Sequence, residues 1–255
     1  MVSAVLTKPH ASQMTLEPLS PAHSTALTQD ILGTATLPPE IEELIVTKSD
    51  GNPLFVEELT RSLMESGVLR LANVQYVLTT SVQTLELPTT VQGVLLARID
   101  RLPEDLKEVL QGASAIGRVF GYPLLAQVMQ NSMALAESLR HLEELEFIYP
   151  TSLAPQQEYS FKHVLTQEAV YGTLLRTKRA AYHERIGQAL ETLYLDRLEE
   201  FYELLAYHYT RSPNTDKAVH YLGLANQKAI NDNAVEAAYA YFTEAMTYVR
   251  VASAE

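Results

Sequence analysis

The sequence contains no cysteine, no tryptophan and only ten glycines. Without cysteine the chain cannot form a disulfide bond or a cysteine-based metal site, which suits a reducing cytoplasm. No glycine is followed by lysine, so the phosphate-binding loop G-x-x-x-x-G-K-[S/T] is absent. No apolar run approaches the roughly 20 residues that a membrane span needs, and no signal peptide is evident. These absences predict a cytoplasmic protein that has no P-loop of its own.

Positive charge is also scarce, with 19 Lys and Arg against 31 Asp and Glu and a net charge of −12. Nonspecific binding to DNA or RNA depends on neutralising phosphates with basic side chains, so this balance argues against a nucleic-acid partner. Hydrophobic residues make up 47% of the chain, which is enough for buried cores. A length of 255 residues is long for one domain and fits two or three small ones.

Residues 1–19 are too short for a domain, and we interpret them as the tail of a preceding one. Within them, residues 14–19 alternate in the manner of an edge strand that ends at a turn. Residues 20–86 predict a bundle of three short helices: Ser20 caps the first, and prolines open the other two at positions 38–39 and 53. An alternating stretch at 68–78 suggests a hairpin.

Residues 87–177 predict a winged helix, a variant of the helix-turn-helix fold. A first helix from position 87 has apolar residues at helical spacing and is expected to expose Arg98, Asp100 and Arg101. Three more helices follow, separated by a glycine-containing break at residues 117–121 and by a later turn. Alternating segments at 147–149 and 159–161 then predict a two-stranded wing.

Residues 178–255 predict helices throughout, with small residues where the last two helices would touch. These positions are Ala225 and Ala229 on one helix and Ala238, Phe242 and Ala245 on the other. Ala-x3-Phe-x2-Ala is the second-helix pattern of a tetratricopeptide repeat. Such repeats bury their faces against neighbours, so we expect the start of a TPR-like solenoid. The predicted fold class is mainly α.

Motifs for catalysis and metal binding are incomplete. His183 and Glu184 begin the zinc motif H-E-x-x-H, but its second histidine position is Gly187. Ser114 lies in a near match to a nucleophile elbow whose closing glycine position is Ile116. Adjacent residues on a helix do not face each other, so acidic pairs are expected on solvated faces rather than in catalytic dyads. These pairs are Glu57 and Glu58, Glu143 and Glu144, and Glu199 and Glu200.

Two stretches stand out, each a turn or strand that runs into a helix. Residues 51–59 have the sequence GNPLFVEEL, residues 161–171 have the sequence FKHVLTQEAVY, and residues 98–102 between them have the sequence RIDRL. This set resembles the signal-transduction ATPases with numerous domains, the STAND class of AAA+ relatives. Within that class it is similar to bacterial multidomain regulators that carry adenylate or guanylate cyclase, protein kinase or LuxR-type DNA-binding domains.

The resemblance implies a nucleotide site shared between the two stretches. In the family a Gly-x-Pro motif lies near the adenine, and a histidine of the winged helix reaches a phosphate of bound ADP. On this sequence, Gly51, Asn52 and Pro53 would hold the base and His163 the phosphate. The family histidine is often followed by an acidic residue, whereas Val164 follows here.

By the same resemblance, residues 1–19 are the remnant of an NTPase domain, 20–86 the helical lid and 87–177 the winged helix. ATP or ADP would be clamped between lid and winged helix in the parent protein, and this chain would neither bind Mg²⁺ nor hydrolyse ATP alone. Nucleotide exchange would relay the state to a cyclase or transcriptional effector. The expected partners are the missing NTPase and effector domains and protein ligands of the repeats, with no membrane.

Plainer interpretations stay open. Pro53 is also suited simply to start a helix, and His163 to end a strand. The chain as a whole fits a stand-alone helical adaptor, or a winged-helix DNA-binding regulator. The candidate recognition helix, 132–146, has four glutamates against Arg140 alone, which disfavours DNA phosphates.

Overall fold

The computed structural model describes residues 15–33, 36–73, 75–79, 85, 87–130, 132–152 and 157–252. The chain is mainly helical with small antiparallel sheets, which confirms the predicted fold class at this level. It divides into two compact units, Met1–Arg101 and Leu102–Glu255. Over the ranges just given, no helix is both long and apolar enough to cross a membrane.

Four helices and one hairpin form the described part of the first unit. They are α1 (Pro21–Leu32), α2 (Pro39–Ser49), α3 (Pro53–Glu65), β1 (Leu69–Ala72), β2 (Gln75–Leu78) and α4 (Val91–Arg101). The two strands pair antiparallel, which confirms the hairpin predicted over residues 68–78. Apolar side chains from all four helices and from β1 meet in one core.

The sequence signals for the starts of the first three helices are confirmed. The hydroxyl of Ser20 accepts a hydrogen bond from the backbone N–H of His23 at 3.3 Å, and proline lies in the first turn of each of the three helices. Asp50 ends α2 in the left-handed conformation. The edge strand predicted over residues 14–19 is wrong for residues 15–19, which have no regular secondary structure, and residues 1–14 lie outside the described part.

The solvent-exposed face predicted for α4 is wrong at one position. Asp100 and Arg101 are exposed, but Arg98 is 1% exposed. Its guanidinium lies 2.5 Å from the carboxylate of Glu58 and 2.5 Å from that of Glu65. Glu58 is buried as well, so the expectation that it lies in solvent is also wrong. The charges face inward because α3 and α4 pack together and each neutralises the other's buried charge.

Helix α4 belongs to the first unit because it packs on α3. It begins at Val91, four residues later than expected. The predicted domain boundary lies before this helix, between residues 86 and 87, whereas the two units divide after it, between Arg101 and Leu102. Its apolar face, which includes Val94, completes the core of this helical bundle.

The second unit begins with helices around a small sheet. The elements are α5 (Glu104–Ile116), β3 (Val119–Gly121), α6 (Tyr122–Met129), α7 (Ser132–Glu144), β4 (Ile148–Ser152) and β5 (Glu158–Phe161). Strand β5 lies in the middle and pairs antiparallel with both β3 and β4. The sequence predicted β4 and β5 but interpreted residues 117–121 only as a break. Strand β3 has three residues, too few for alternation to identify, and only its pairing with β5 defines it.

The remaining elements are helical. They are α8 (Val164–Thr173), α9 (Arg176–Leu193), a 3₁₀ helix (Leu195–Phe201), α10 (Tyr202–Tyr209), α11 (Thr215–Asn231) and α12 (Val235–Ala252). Helices α9 to α12 pack in chain order, α9 on α10, α10 on α11 and α11 on α12. The segment Leu195–Phe201 is 3₁₀ rather than α-helical, and Arg197 within it leaves the helical conformation (φ −142°, ψ 37°).

Small residues mediate the α11–α12 contact as predicted, with one exception. Ala225, Ala229 and Ala238 are buried, but Phe242 is 56% exposed. Helix α12 is rotated so that two tyrosines, 241 and 248, pack on the core in its place. The prediction that Phe242 lies at the contact is therefore wrong.

Candidate functional site

The first sequence motif forms the turn between α2 and α3. Gly51 is buried at this turn, while Asn52 and Pro53 are exposed. Asn52 caps α3, because its Oδ1 accepts a hydrogen bond from the backbone N–H of Phe55 at 3.2 Å. Pro53 is the first residue of the helix. The motif therefore has a structural role in starting α3, and it also leaves the ring of Pro53 on the surface.

Backbone conformation and available space both require glycine at position 51. Its φ is +70°, in the left-handed region that favours glycine. A Cβ atom there would lie 2.5 Å from the carbonyl oxygen of Leu19 and 2.9 Å from the Cβ of Pro18. The backbone N–H of Leu19 donates to the carbonyl of Gly51 at 2.8 Å. The leading segment is thus held directly against the turn.

The substitution Gly51→Ala is expected to lower the free energy of unfolding of the first unit by about 2 kcal/mol, through backbone strain and displacement of Leu19. Gly67→Ala is the matched control: its φ is +72°, but a Cβ there would meet nothing within 4 Å. The control should therefore cost only about 1 kcal/mol. Urea unfolding followed by circular dichroism measures both losses. Equal losses would contradict a role for the contact with Leu19.

The second motif lies where β5 leads into α8. Phe161 ends the strand fully buried, and its N–H donates to the carbonyl of Arg118 at 2.9 Å. His163 occupies the N-cap position of α8 and is half-buried. Its backbone carbonyl accepts a hydrogen bond from the N–H of Thr166 at 3.1 Å. Strand and helix together fix the backbone that carries the His163 side chain.

Both motifs open a helix whose first turn has no acidic residue. At α8 the first two side chains, Val164 and Leu165, are exposed, so the N-terminal turn of this helix faces solvent. Unpaired N–H groups and the helix dipole give such an end a partial positive charge. The neighbouring Lys162 is paired with Glu146, which already offsets its charge. The geometry of both helix starts is compatible with an anion.

The structure places the two motifs in different units: Gly51, Asn52 and Pro53 belong to Met1–Arg101, and His163 belongs to Leu102–Glu255. Four surface clefts of the second unit have volumes between about 220 and 630 Å³. None of these four is lined by His163. The nucleotide clamp across the two motifs therefore stays a prediction.

A buried chain of hydrogen bonds in the second unit was not predicted. The hydroxyl of Tyr171 lies 2.8 Å from Nε2 of His183, and Nδ1 of His183 lies 2.8 Å from Nδ1 of His208. Both imidazoles are fully buried. Between the two facing Nδ1 atoms, one must carry the proton and the other must accept it. The pair can therefore hold one Nδ1 proton but not two.

Burial and neighbouring positive charge keep both imidazoles neutral. Burial, together with the guanidinium groups of Arg211 and Arg179, lowers the pKa of His183 to about 4. Burial, the neighbouring His183 and Arg211 lower the pKa of His208 to about 3. The other facing groups are two tyrosines, 171 and 207, whose rings pack edge-on against His183. At neutral pH this cluster is uncharged and holds α8, α9 and α10 together.

In the sequence, His183 stands out only as half of an incomplete zinc motif. Gly187 occupies the second histidine position of that motif, and packing explains why it is glycine: a Cβ there would lie 2.6 Å from the ring of Tyr209. Helical spacing did offer a signal, because His183 is followed at Ile186 and Leu190 by buried apolar residues of the same helix face. Nothing in the sequence pairs it with His208, which lies on another helix. In the part of the chain that the structure describes, no group of three or more His, Asp or Glu residues could hold a metal ion.

Comparison with known proteins gives a distant relative and no family. No protein-family model matches the chain. An uncharacterized protein of Rhizobium meliloti (strain 1021) is 27% identical over 160 residues. The aligned part is 60% of this chain and 14% of the relative, so the chain spans only a small fraction of the length of the curated relative it matches.

Proposed function

We propose that the chain is the nucleotide-responsive regulatory region of a STAND-type signalling ATPase. In this proposal the first unit is the lid, the part of the second unit up to α8 is a winged helix, and α9 to α12 begin a TPR-like array. ATP or ADP is clamped between Pro53 of the lid and His163 of the winged helix in the parent protein, which passes the nucleotide state to a cyclase or transcriptional effector.

One observation carries the proposal. The two stretches that resemble the family's nucleotide motifs both lie at the start of a helix, and neither helix has an acidic residue in its first turn. Pro53 is exposed, and His163 stands at the N-terminus of α8. An apolar wall for a purine and a helix end for a phosphate are complementary parts of a nucleotide site.

The element order supports the winged-helix part of the proposal. Three helices, α5, α6 and α7, precede the hairpin of β4 and β5, and the short strand β3 joins the hairpin on the side of β5. A hairpin after three helices is the order from which the winged helix was predicted. Consecutive packing of α9 to α12 supports the start of a helical array in the same way.

The DNA-binding alternative has less support. The single arginine of the candidate recognition helix, Arg140, is paired with Glu144 at 2.5 Å and lies 3.9 Å from Glu137. Its charge is therefore already offset on the same helix. A face with this balance repels phosphates.

The test measures ADP that stays bound to the protein expressed from the whole reading frame containing this chain. After gel filtration, His163→Ala should retain at most about one tenth of the ADP that the unchanged protein retains, because one hydrogen bond to a charged phosphate is lost. Pro53→Ala should show a smaller loss.

Exposed His220 supplies the matched control, and His220→Ala should retain ADP at the level of the unchanged protein. If His163→Ala retains as much ADP as this control, the clamp is refuted and the helical adaptor becomes the better interpretation.

A further inference from the structure

Tyr171 on α8, His183 on α9 and His208 on α10 form an unbranched chain of hydrogen bonds, which we call the Tyr–His–His chain. The Tyr171 hydroxyl lies 2.8 Å from Nε2 of His183, and the Nδ1 atoms of the two histidines lie 2.8 Å apart. The remaining ring nitrogen, Nε2 of His208, is buried and has no hydrogen-bond partner among the residues that the structure describes. The chain thus starts at a hydroxyl on α8 and ends at a buried nitrogen on α10.

Two arrangements of protons satisfy both hydrogen bonds, because each neutral imidazole carries one N–H. In the forward arrangement the Tyr171 hydroxyl donates to Nε2 of His183, Nδ1–H of His183 donates to Nδ1 of His208, and His208 keeps its proton on Nε2. In the reverse arrangement Nδ1–H of His208 donates to Nδ1 of His183, and Nε2–H of His183 donates to the Tyr171 oxygen. The state of either end of the chain therefore fixes the state of the other.

The number of unpaired groups favours the forward arrangement. That arrangement leaves one group without a partner, the N–H at Nε2 of His208. The reverse arrangement leaves two, the lone pair at the same nitrogen and the hydroxyl hydrogen of Tyr171, which has no second acceptor in the part of the chain that the structure describes. One additional hydrogen bond corresponds to a preference of about five- to tenfold at equilibrium.

Aromatic rings and cations enclose the middle of the chain. The rings of Tyr171 and Tyr207 lie edge-on to His183, each 5.9 Å away between ring centres. The guanidinium carbon of Arg179 lies 4.2 Å from the ring centre of Tyr171, and that of Arg211 lies 3.7 Å from the ring centre of Tyr207. Two nearby positive charges oppose protonation of a buried imidazole. The chain therefore changes state by exchanging tautomers while it stays uncharged.

We infer that the Tyr–His–His chain is a relay through which the Tyr171 hydroxyl on α8 sets the tautomer of His208 on α10. Coupling of this kind is reciprocal, so a group that pairs with His208 also acts on Tyr171. Helix α8 begins beside His163, and α10 packs between α9 and α11, so the relay joins the helix that follows the hairpin to the helical array. It does not depend on the proposed nucleotide function, because neither arrangement of protons involves Pro53 or His163.

Proton–nitrogen NMR correlation of the histidine rings measures both tautomers. The sample is the full chain at pH 7 without nucleotide, with nitrogen-15 in its histidines, so a failure of the nucleotide clamp cannot alter the result. The unchanged chain should show His183 mainly in the Nδ1–H form and His208 mainly in the Nε2–H form. Nδ1–H as the main form of His208 would overturn the inference without the need for a variant.

Tyr171→Phe keeps the ring but removes the donor at the start of the chain. Both arrangements then leave two groups unpaired, so the preference at His208 should fall from about five- to tenfold to less than about twofold. Tyr207→Phe is the matched control: its ring also contacts His183, but its hydroxyl is not part of the chain, so the tautomers should stay as in the unchanged protein. Equal tautomer populations at His208 in the two variants would show that no relay exists.

Discussion

Replacing Arg98 with methionine is expected to lower the free energy of unfolding of the first unit by about 3 to 5 kcal/mol. Arg98 is 1% exposed, and the side chain of its partner Glu58 is 2% exposed. Burial lowers the pKa of Arg98, but its hydrogen bonds and charge attraction to Glu65 and Glu58 raise it further, so the net pKa lies above the ordinary value. Without the guanidinium, the carboxylate of Glu58 is left buried with its main compensating charge gone.

A second substitution distinguishes loss of charge balance from loss of packing. The double variant Arg98→Met with Glu58→Leu removes both buried charges and keeps apolar volume at the α3–α4 contact. Such replacements of a buried pair are often neutral or stabilising, so the double variant should recover more than half of the loss. The side chain of Glu65 is 24% exposed and can be hydrated in both variants.

Urea unfolding, combined with hydrogen exchange of the α3 and α4 amides, measures these changes in the first unit itself. Arg101→Met is the control, because Arg101 is exposed and its guanidinium makes a 3.0 Å hydrogen bond to the hydroxyl of Ser62. That variant should cost less than about 1 kcal/mol. If the double variant is as unstable as Arg98→Met, the buried charge is not the reason for the loss.

Acid is expected to destabilise the second unit well before its carboxylates titrate. The pKa of His183 is lowered to about 4 and that of His208 to about 3. In the unfolded chain both return to a pKa near 6.5, so below that pH the unfolded chain binds more protons and stability falls as pH falls. From pH 7 to pH 5 the two imidazoles should together remove about 4 kcal/mol.

The variant His208→Gln tests this origin of the pH dependence. It removes one of the two titrating groups, so the loss between pH 7 and pH 5 should shrink by about half, whatever the stability at pH 7. His220→Gln, at an exposed position, should leave the pH dependence unchanged. Hydrogen exchange of the α9 and α10 amides measures the stability of the second unit itself. If the free energy of unfolding of His208→Gln falls between pH 7 and pH 5 as much as that of the unchanged protein, the buried histidine pair is not the cause of the acid sensitivity.

Sequence signals predict helix starts well where all the interacting groups lie within one short stretch of the chain. Ser20, Asn52 and Pro53 start helices through hydrogen bonds within four residues or through a fixed φ, and neither depends on distant parts of the fold. Such interactions are readable in the sequence because both partners are neighbours along the chain.

The sequence by itself determined the helical class, the starts of α1 to α3, the hairpin of β1 and β2, and the two strands β4 and β5. The tertiary structure alone decided that Arg98 and Glu58 face each other in a core, that β3 joins β5, and that His183 meets His208. It also decided that Phe242 faces outward. Each of these depends on how one element is rotated against another, and periodicity leaves that rotation undetermined when both faces of a helix carry apolar residues or when a charge finds its partner far along the chain.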